Sequence, residues 1–171
     1  MGRKIYKIMN TFYTSDNHFF HKNIIKYCDR PFVDVNEMNE TMIRNWNSVV
    51  RLGDLVIHGG DFALCSFDMA KHILECLNGD KILVRGNHDR SSKSMREMGF
   101  KEVVSLYNSG TVCVVHDPSK VSEDTVKIRD HILYGHIHER LIYKDKFINI
   151  CVEQNNYIPK TLEQLLSSVK F

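Results

Sequence analysis

The sequence contains no CxxC pair of cysteines and no apolar run that approaches the ~20 residues of a membrane span. Its cysteines are scattered and odd in number, which argues against a disulfide framework and against a thiolate zinc site. They are Cys28, Cys65, Cys76, Cys113 and Cys151. The first residues, MGRKIYKIMNTFYT, also lack the long apolar segment of a secretory signal. A cytoplasmic protein without a membrane partner is therefore the expectation.

The chain also lacks an excess of either charge, because 23 lysines and arginines stand against 21 aspartates and glutamates. Such a balance is not typical of proteins that coat nucleic acids or mimic a polyanion. The 171 residues, 43% of them hydrophobic, are enough to bury a core and fall within the usual size of one domain. We expect a single domain that covers residues 1–171.

Short β-like runs alternate with helix-like segments, and Gly, Asn and Asp separate most of them. Met38 and Trp46 recur at helical spacing and are predicted to be buried. Ser66 is a predicted helix N-cap, and Thr161 with Gln164 forms a predicted capping box before the last helix. The other predicted helices cover residues 35–50, 66–77 and 92–98, and the predicted strands cover 5–13, 55–58, 81–85, 103–107, 112–115, 131–134, 141–144 and 147–152, with 103–107 and 112–115 paired in a hairpin. This alternation predicts an α/β fold.

Histidine is the distinctive residue of this chain, because five of its nine histidines lie beside Asp, Asn or Gly at predicted strand ends. Loops at strand ends are where functional groups collect. In order, the motifs are Asp16-Asn17-His18, Gly60-Asp61, Gly86-Asn87-His88-Asp89, His116 and Gly135-His136-Ile137-His138. Three histidines lie neither in these motifs nor next to the first one: His58, His72 and His131. They are predicted to be hydrogen-bonded or solvent-facing.

The spacing within these motifs favours metal binding. Successive residues of a strand alternate between faces, so Asp16 and His18 point to the same side, as do His136 and His138. Imidazole and carboxylate together suit Mn, Fe, Zn, Ni or Co. Each motif is weak when taken singly, because Asp and Asn side chains also cap strand ends and form turn hydrogen bonds.

Two Gly-Asp pairs compete for the second place in this series. Asp61 follows the predicted strand 55–58, at the end where the other motifs collect, whereas Asp54 precedes that strand. We therefore select Asp61 and place Asp54 in a turn.

The succession D-x-H, GD, GNHD, H and GHxH resembles that of the calcineurin-like metallophosphoesterases, and the likeness runs from Asp16 to His138. The segment SDNHFFHKNIIKYCDRPF further resembles a subgroup of small bacterial and phage-type phosphoesterases. The resemblance implies a four-layer αββα sandwich, in which two mixed β-sheets pack face to face between helices. It places the metals at the carboxyl ends of the strands.

The resemblance also implies roles for individual residues. The first metal would be held by Asp16, His18, Asp61 and His138, and the second by Asp61 as a bridge with Asn87, His116 and His136. His88 would face the substrate as general acid, and Asp89 would orient His88 through a hydrogen bond. The implied cofactors are two divalent ions, with Mn preferred and Fe, Ni, Co, Zn or Mg as alternatives.

The implied reaction is hydrolysis of a phosphodiester by a water or hydroxide held between the two ions, with His88 protonating the leaving group. A phosphomonoesterase would keep every ligand. A non-enzymatic metal-site scaffold, as in the retromer-subunit branch of the superfamily, normally lacks the catalytic His. The expected partner is a phosphoester, with nucleotides or nucleic-acid fragments as candidates, and the oligomeric state stays open.

Further substrate contacts are expected from His21 and Asn23, which follow the first motif. The stretch from Lys22 to Arg30 is basic and bears aromatic residues, so it is either a solvated face or a groove for an extended phosphodiester. Three positions depart from the family pattern. Leu64 replaces the acid of GDxxD, Val115 replaces the small residue that often precedes the fourth motif, and Gly59 replaces an apolar residue.

Overall fold

A computed structural model describes residues 9–141 and 146–168. The strands are β1 (Thr11–Thr14), β2 (Leu55–His58), β3 (Asp80–Val84), β4 (Glu102–Val104), β5 (Leu106–Ser109), β6 (Val112–Val115), β7 (His131–Tyr134), β8 (Phe147–Asn149) and β9 (Lys160–Thr161). The α-helices are α1 (Ile24–Tyr27), α2 (Val35–Val49), α3 (Phe67–Cys76), α4 (Ser92–Met98), α5 (Glu123–Ile128) and α6 (Leu162–Ser168). Within the described residues, no helix is long and apolar enough to cross a membrane.

The strands form two mixed sheets. The first has the order β4-β3-β2-β1-β9, in which only β9 runs antiparallel to its neighbour. The second has the order β5-β6-β7-β8, in which only β5 runs antiparallel. The parallel strands of each sheet therefore end at a common edge, where the loops that follow them meet.

Successive side chains of each strand point to opposite faces of its sheet, and the buried residues accordingly form three layers. One face of the first sheet packs against α2, α3 and α4, and the buried residues there include Phe12, Val56, Leu83, Met42, Leu74 and Met95. Between the sheets lie Tyr13, Ile57, Val84, Val114, Leu133 and Ile150. The outer face of the second sheet carries a smaller cluster of Cys113, Val115, Ile132 and Tyr134. The expected α/β architecture, two mixed sheets between flanking helices, is confirmed.

Several local predictions are confirmed. Met38 and Trp46 are 0% and 1% exposed. Ser66 caps α3 by accepting a hydrogen bond from the N–H of Met69 at 3.3 Å. Thr161 and Gln164 form the predicted capping box, with reciprocal hydrogen bonds of 3.0 and 3.3 Å.

The predicted hairpin is confirmed, because β5 and β6 pair antiparallel, but its first strand does not span 103–107: the chain breaks at Ser105 into two strands of different sheets. β4 pairs with β3 of the first sheet, and β5 pairs with β6 of the second. The two short helices α1 and α5 were not predicted. The predicted strand 147–152 ends at Asn149. Residues 5–8 of the first predicted strand and residues 142–144 of another lie outside the described residues.

The two sheets are joined at the edge where the motifs collect. Ser15, directly after β1, forms an isolated parallel bridge with Cys151 beyond β8. The N–H of Asp16 donates to the carbonyl of Gly60 at 2.9 Å, and the N–H of Gly135 donates to the carbonyl of His116 at 3.0 Å. These bonds bring the loops after β1, β2, β6 and β7 to one place.

Candidate metal centre

Asp16, His18 and His138 form the first group of facing side chains. Nε2 of His18 lies 3.8 Å from Oδ1 of Asp16, and Nε2 of His138 lies 4.0 Å from the same oxygen. Both Asp16 Oδ1 and His18 Nε2 are buried and have no hydrogen-bond partner among the described residues. Strand-end capping cannot account for unpartnered buried atoms, whereas a cation between them would satisfy both.

Asp61, His116 and His136 form the second group, whose ligand-type atoms lie within 4.8 Å of one another. Nε2 of His116 lies 3.4 Å from Oδ2 of Asp61 and 2.9 Å from Oδ1 of Asn87. The same Asp61 oxygen lies 3.6 Å from Nε2 of His18. Asp61 therefore stands between the two groups, and all seven predicted ligands come together.

Each of the two carboxylates uses one oxygen for the scaffold and turns the other toward the histidines. Oδ2 of Asp16 accepts from the N–H of His136 at 3.0 Å and from the thiol of Cys151 at 3.3 Å. Oδ1 of Asp61 accepts from the N–H of His88 at 2.9 Å. Asp16 Oδ1 and Asp61 Oδ2 are left to face the two histidine groups, as metal ligands would.

The backbone of this region is held in the left-handed conformation that non-glycine residues rarely adopt. Five of the seven predicted ligands have positive φ: Asp16 (58°), His18 (50°), Asp61 (56°), His136 (71°) and His138 (48°). Each such residue costs on the order of 1–3 kcal/mol, and such residues concentrate at functional sites. A Cβ on Gly86 would collide with the Asp61 carboxylate, and one on Gly135 would collide with that of Asp16. The loops are built closely around the two carboxylates.

The carboxylates also favour positive charge at the histidines. Burial opposes protonation of His116, but Asp61 and Asp16 raise the pKa of His116 to about 9. Burial likewise opposes protonation of His138, but Cys28, Glu153 and Asp16 raise its pKa to about 10. A divalent cation would be attracted by the same carboxylates, and it would compete with protons for the histidine nitrogens. The residues present therefore fit the metal ions that the sequence predicted.

His88 stands outside both groups. Its side chain is exposed, and its ring centroid lies 5.5 Å from that of His18. It lines a cleft of about 450 Å³ together with residues of α1 and of the loop after β7, among them Ile24, Tyr27, His136, Ile137 and Arg140. A group bound in this cleft would contact His88 and the first histidine group together.

The prediction that Asp89 orients His88 is wrong. Oδ2 of Asp89 accepts from the N–H groups of Asp61 (2.9 Å) and Gly86 (2.8 Å), and Oδ1 accepts from that of Phe62 (2.9 Å). Both oxygens are thus committed to backbone amides. Asp89 is a clamp that ties the loop after β2 to the loop after β3.

The two predicted substrate contacts have different surroundings. Nδ1 of His21 lies 3.3 Å from Nδ1 of His18, and His21 lines the cleft. Asn23 is exposed and is not among the described residues that line it. Arg30 is 3% exposed, so it cannot belong to a surface groove. Lys22 and Lys26 are exposed, as expected for a solvated face.

The structure also accounts for the competing Gly-Asp pair and for Gly59, one of the three departures from the family pattern. Asp54 accepts hydrogen bonds from the N–H groups of Arg51 (2.8 Å) and Asn10 (3.0 Å) before β2, which confirms its place in a turn. Gly59 is required because a Cβ there would approach the Ser15 side chain to 2.9 Å. Leu64, at the position of the missing acid, is 43% exposed.

Sequence reasoning missed Glu153. Oε1 of Glu153 accepts from Nδ1 of His138 at 3.0 Å, and the side chain is 5% exposed. Cys28, His138 and Glu153 also offer three ligand-type atoms within 4.8 Å of one another. The signal was present, because Glu153 follows the predicted strand 147–152 at the same edge as the other motifs.

His58 is buried beneath the site as a neutral imidazole. Its Nδ1 accepts from the N–H of Gly60 at 3.1 Å, so the proton is on Nε2, which donates to Oδ1 of Asn17 at 2.9 Å. Burial lowers the pKa of His58 to about 4, against the attraction of Asp16 and Asp61. The prediction that this histidine is hydrogen-bonded is confirmed.

The free energy of unfolding is expected to fall on acidification because of His58. The unfolded state, in which His58 titrates near 6.5, binds more protons than the folded state between pH 6.5 and 4. His58 should therefore contribute a loss of about 2 kcal/mol between pH 7 and 5. Urea unfolding of the chelator-treated wild type and His58→Gln measures this at both pH values. An equal pH dependence in the two proteins would contradict it.

Comparison with known proteins agrees with the fold and the motifs. The sequence model of the calcineurin-like phosphoesterase superfamily domain matches residues 9–152. The protein MJ1445 of Methanocaldococcus jannaschii is 39% identical over 98% of this chain and 92% of its own length. The gene 66 protein of Mycobacterium phage L5 is 36% identical over 78% of this chain and 79% of its own.

Among solved structures, AQ665 from Aquifex aeolicus has a TM-score of 0.76 and 25% identity, over 95% of this chain and all of that one. The match of the superfamily model covers most of the chain and includes every residue of both histidine groups. The chain therefore belongs to the calcineurin-like phosphoesterase superfamily.

Proposed function

We propose that this protein is a dinuclear metal-dependent phosphodiesterase. The observation that carries the proposal is the position of Asp61 Oδ2, 3.6 Å from Nε2 of His18 and 3.4 Å from Nε2 of His116. The proposed ligands of the first ion are Asp16, His18, Asp61 and His138, and those of the second are Asp61, Asn87, His116 and His136. A mixed set of nitrogen and oxygen ligands suits Mn, with Fe, Ni, Co, Zn or Mg as alternatives.

The charge of the site favours a phosphoester. Two ligating carboxylates offset only half of the charge of two divalent ions, so the loaded site attracts an anion. Such ions would supply Lewis-acid stabilisation of phosphoryl oxygens and a water of lowered pKa. The family membership supports a hydrolase of phosphoesters, and the histidine groups support metal dependence.

His88 is proposed as the general acid. It is exposed to the cleft, lies outside both ligand groups and is anchored through its backbone N–H to Asp61 at 2.9 Å. The Asp61 contact fixes the position of the loop, and the imidazole is free to reach a leaving oxygen. A proton delivered there assists departure of an alkoxide.

The cleft favours a diester over a monoester. A dianionic monoester benefits from an additional Arg or Lys clamp. Arg85 and Arg90 follow β3 near the site, but Arg85 donates to the carbonyl of Arg90 at 3.0 Å and Arg90 donates to that of Cys65 at 2.8 Å. Arg140 is the one Arg or Lys among the described residues that line the cleft, and it lies beside Glu139.

A nucleotide-derived substrate is supported by Tyr27. Its side chain is 70% exposed at the cleft, and its ring is perpendicular to that of His21 at a centroid distance of 6.1 Å. Nucleobases stack on exposed aromatic rings of this kind.

We expect kcat/KM for bis-p-nitrophenyl phosphate to exceed that for p-nitrophenyl phosphate by about tenfold or more, which corresponds to roughly 1.4 kcal/mol. Both substrates are compared with Mn²⁺ at one pH, and chelator-treated protein is the control. A clear preference for the monoester would replace the diesterase by the alternative phosphomonoesterase. Metal binding without turnover of either ester would favour the non-enzymatic scaffold.

A further inference from the structure

Arg30 is buried directly beneath the first histidine group. Its guanidinium donates to the carbonyl of Asp16 at 2.7 Å and to that of Asn17 at 2.8 Å. It also donates to Oε1 of Glu153 through Nε at 3.0 Å and through Nη2 at 2.6 Å. Both side chains of this ion pair are nearly inaccessible, at 0% and 5% exposure. One arginine therefore holds two backbone carbonyls and one carboxylate.

Glu153 connects this arginine to the candidate metal centre. The oxygen that accepts from Arg30 also accepts from Nδ1 of His138 at 3.0 Å. On the other side of the ring, Nε2 of His138 faces Oδ1 of Asp16 at 4.0 Å. A continuous chain of contacts thus runs from Arg30 through Glu153 and His138 to Asp16.

The chemistry of this chain suits a metal ligand. When Glu153 holds the proton of His138 on Nδ1, the lone pair of Nε2 is available to a cation, and the ring cannot rotate without breaking the bond. A carboxylate buried this deeply requires a counter-charge, which Arg30 supplies. The remaining donors of Arg30 fix the loop in which Asp16 and His18 adopt positive φ.

We propose that Arg30 and Glu153 are a positioning pair that sets the ring orientation and tautomer of His138 and holds the Asp16-Asn17 loop, and thereby tightens binding of the first ion. The inference rests on the proposed function, since it assumes that the first group binds metal. It also assigns a structural role to the segment YCDRPF, residues 27–32. Asp29 has φ of 44° and turns the chain after α1, which directs Arg30 inward.

A different interpretation would place another cation among Cys28, His138 and Glu153. Oε2 of Glu153 is buried and unpartnered among the described residues. A cation at that place would lie beside the guanidinium of Arg30, which is already 2.6 Å from Glu153. Repulsion between like charges in a buried setting disfavours it. The guanidinium already supplies the positive charge that Glu153 requires.

The test is titration of the chelator-treated full-length chain with Mn²⁺, in a His116→Ala background that leaves the first group as the remaining ion site. Glu153→Gln and Arg30→Lys are expected to raise the Kd of that ion roughly 10- to 100-fold. Asp80→Asn is the matched control, because it breaks the exposed ion pair with Lys101 (2.7 Å) far from the site. Its Kd should stay within about twofold of the background protein.

A second measurement reports the tautomer without any turnover. In zinc-loaded protein, nitrogen-15 NMR should show a proton on Nδ1 of His138, and Glu153→Gln should weaken or shift that signal. If Glu153→Gln does not fold because Arg30 loses its counter-charge, Glu153→Asp is the alternative variant. It keeps the negative charge, but its shorter side chain moves the carboxylate away from His138. The same rise in Kd is expected from that variant.

The outcomes separate the two proposals. Folded Glu153 and Arg30 variants that bind Mn²⁺ as tightly as the background protein would overturn the positioning pair and leave the proposed function intact. A wild-type chain that binds no divalent ion would overturn the proposed function, and the positioning pair with it.

Discussion

The Asp61→Asn variant is expected to lose both ions and to lose turnover by on the order of 10³-fold or more. Oδ2 of Asp61 is, among the described residues, the carboxylate oxygen that lies close to a histidine of each group. An amide keeps an oxygen for the N–H of His88 but brings no charge to offset the cations. Elemental analysis of the purified variant, after equilibration with excess Mn²⁺ and removal of free metal, measures the loss.

Asp54→Asn is the matched control, since Asp54 belongs to the other Gly-Asp pair and is equally buried, at 2% exposure. Its carboxylate accepts from the backbone N–H of Arg51 in the turn before β2 and from that of Asn10 before β1, so the variant should lose about 1 kcal/mol of stability. Its metal content should equal that of the wild type. If both variants keep two ions per chain, or if only Asp54→Asn loses them, the assignment of the bridging residue is wrong.

The His88→Ala variant is expected to keep its ions and lose on the order of 10² to 10⁴ in kcat, the usual contribution of a general acid. The loss should depend on the leaving group. A nitrophenolate departs with little need of a proton, whereas an alkoxide needs one. Steady-state kinetics on an aryl ester and an alkyl ester of similar size, with metal content determined for each preparation, measures both effects.

His72→Ala provides the comparison, because His72 is exposed on α3 and belongs to neither histidine group. It should leave turnover of both esters unchanged. An equal loss on the aryl and the alkyl ester in His88→Ala would remove His88 from the acid role and leave it a part in binding.

The sequence predicted elements where a local pattern alone decides the structure. The capping residue Ser66 and the pair Thr161 and Gln164 satisfy backbone groups of their own helix, so no distant partner is needed. The strand 103–107 failed because a single polar residue, Ser105, interrupts its apolar run, and such a residue does not show that the hydrogen-bond partners change there. Only tertiary pairing with β3 on one side and β6 on the other reveals the break at Ser105.

For the candidate site, too, the sequence predicted some features and missed others. The order of the motifs identified seven side chains that the fold brings together, because parallel strands deliver their carboxyl ends to one edge. The role of Asp89 was misjudged, since adjacency to His88 in sequence says nothing about which amides its carboxylate meets. Glu153 lies 123 residues from Arg30, and no local sequence pattern predicts a contact between residues so far apart in the chain. The basic appearance of the stretch around Arg30 concealed a buried ion pair.

The most direct test of a dinuclear metal-dependent diesterase is a titration of chelator-treated wild-type protein with Mn²⁺, with bound ions and hydrolysis of bis-p-nitrophenyl phosphate followed in the same samples. We expect two ions per chain, and hydrolysis that is absent without metal and rises with metal occupancy. Protein that binds no ions, or that hydrolyses the ester equally well in chelator, would contradict it.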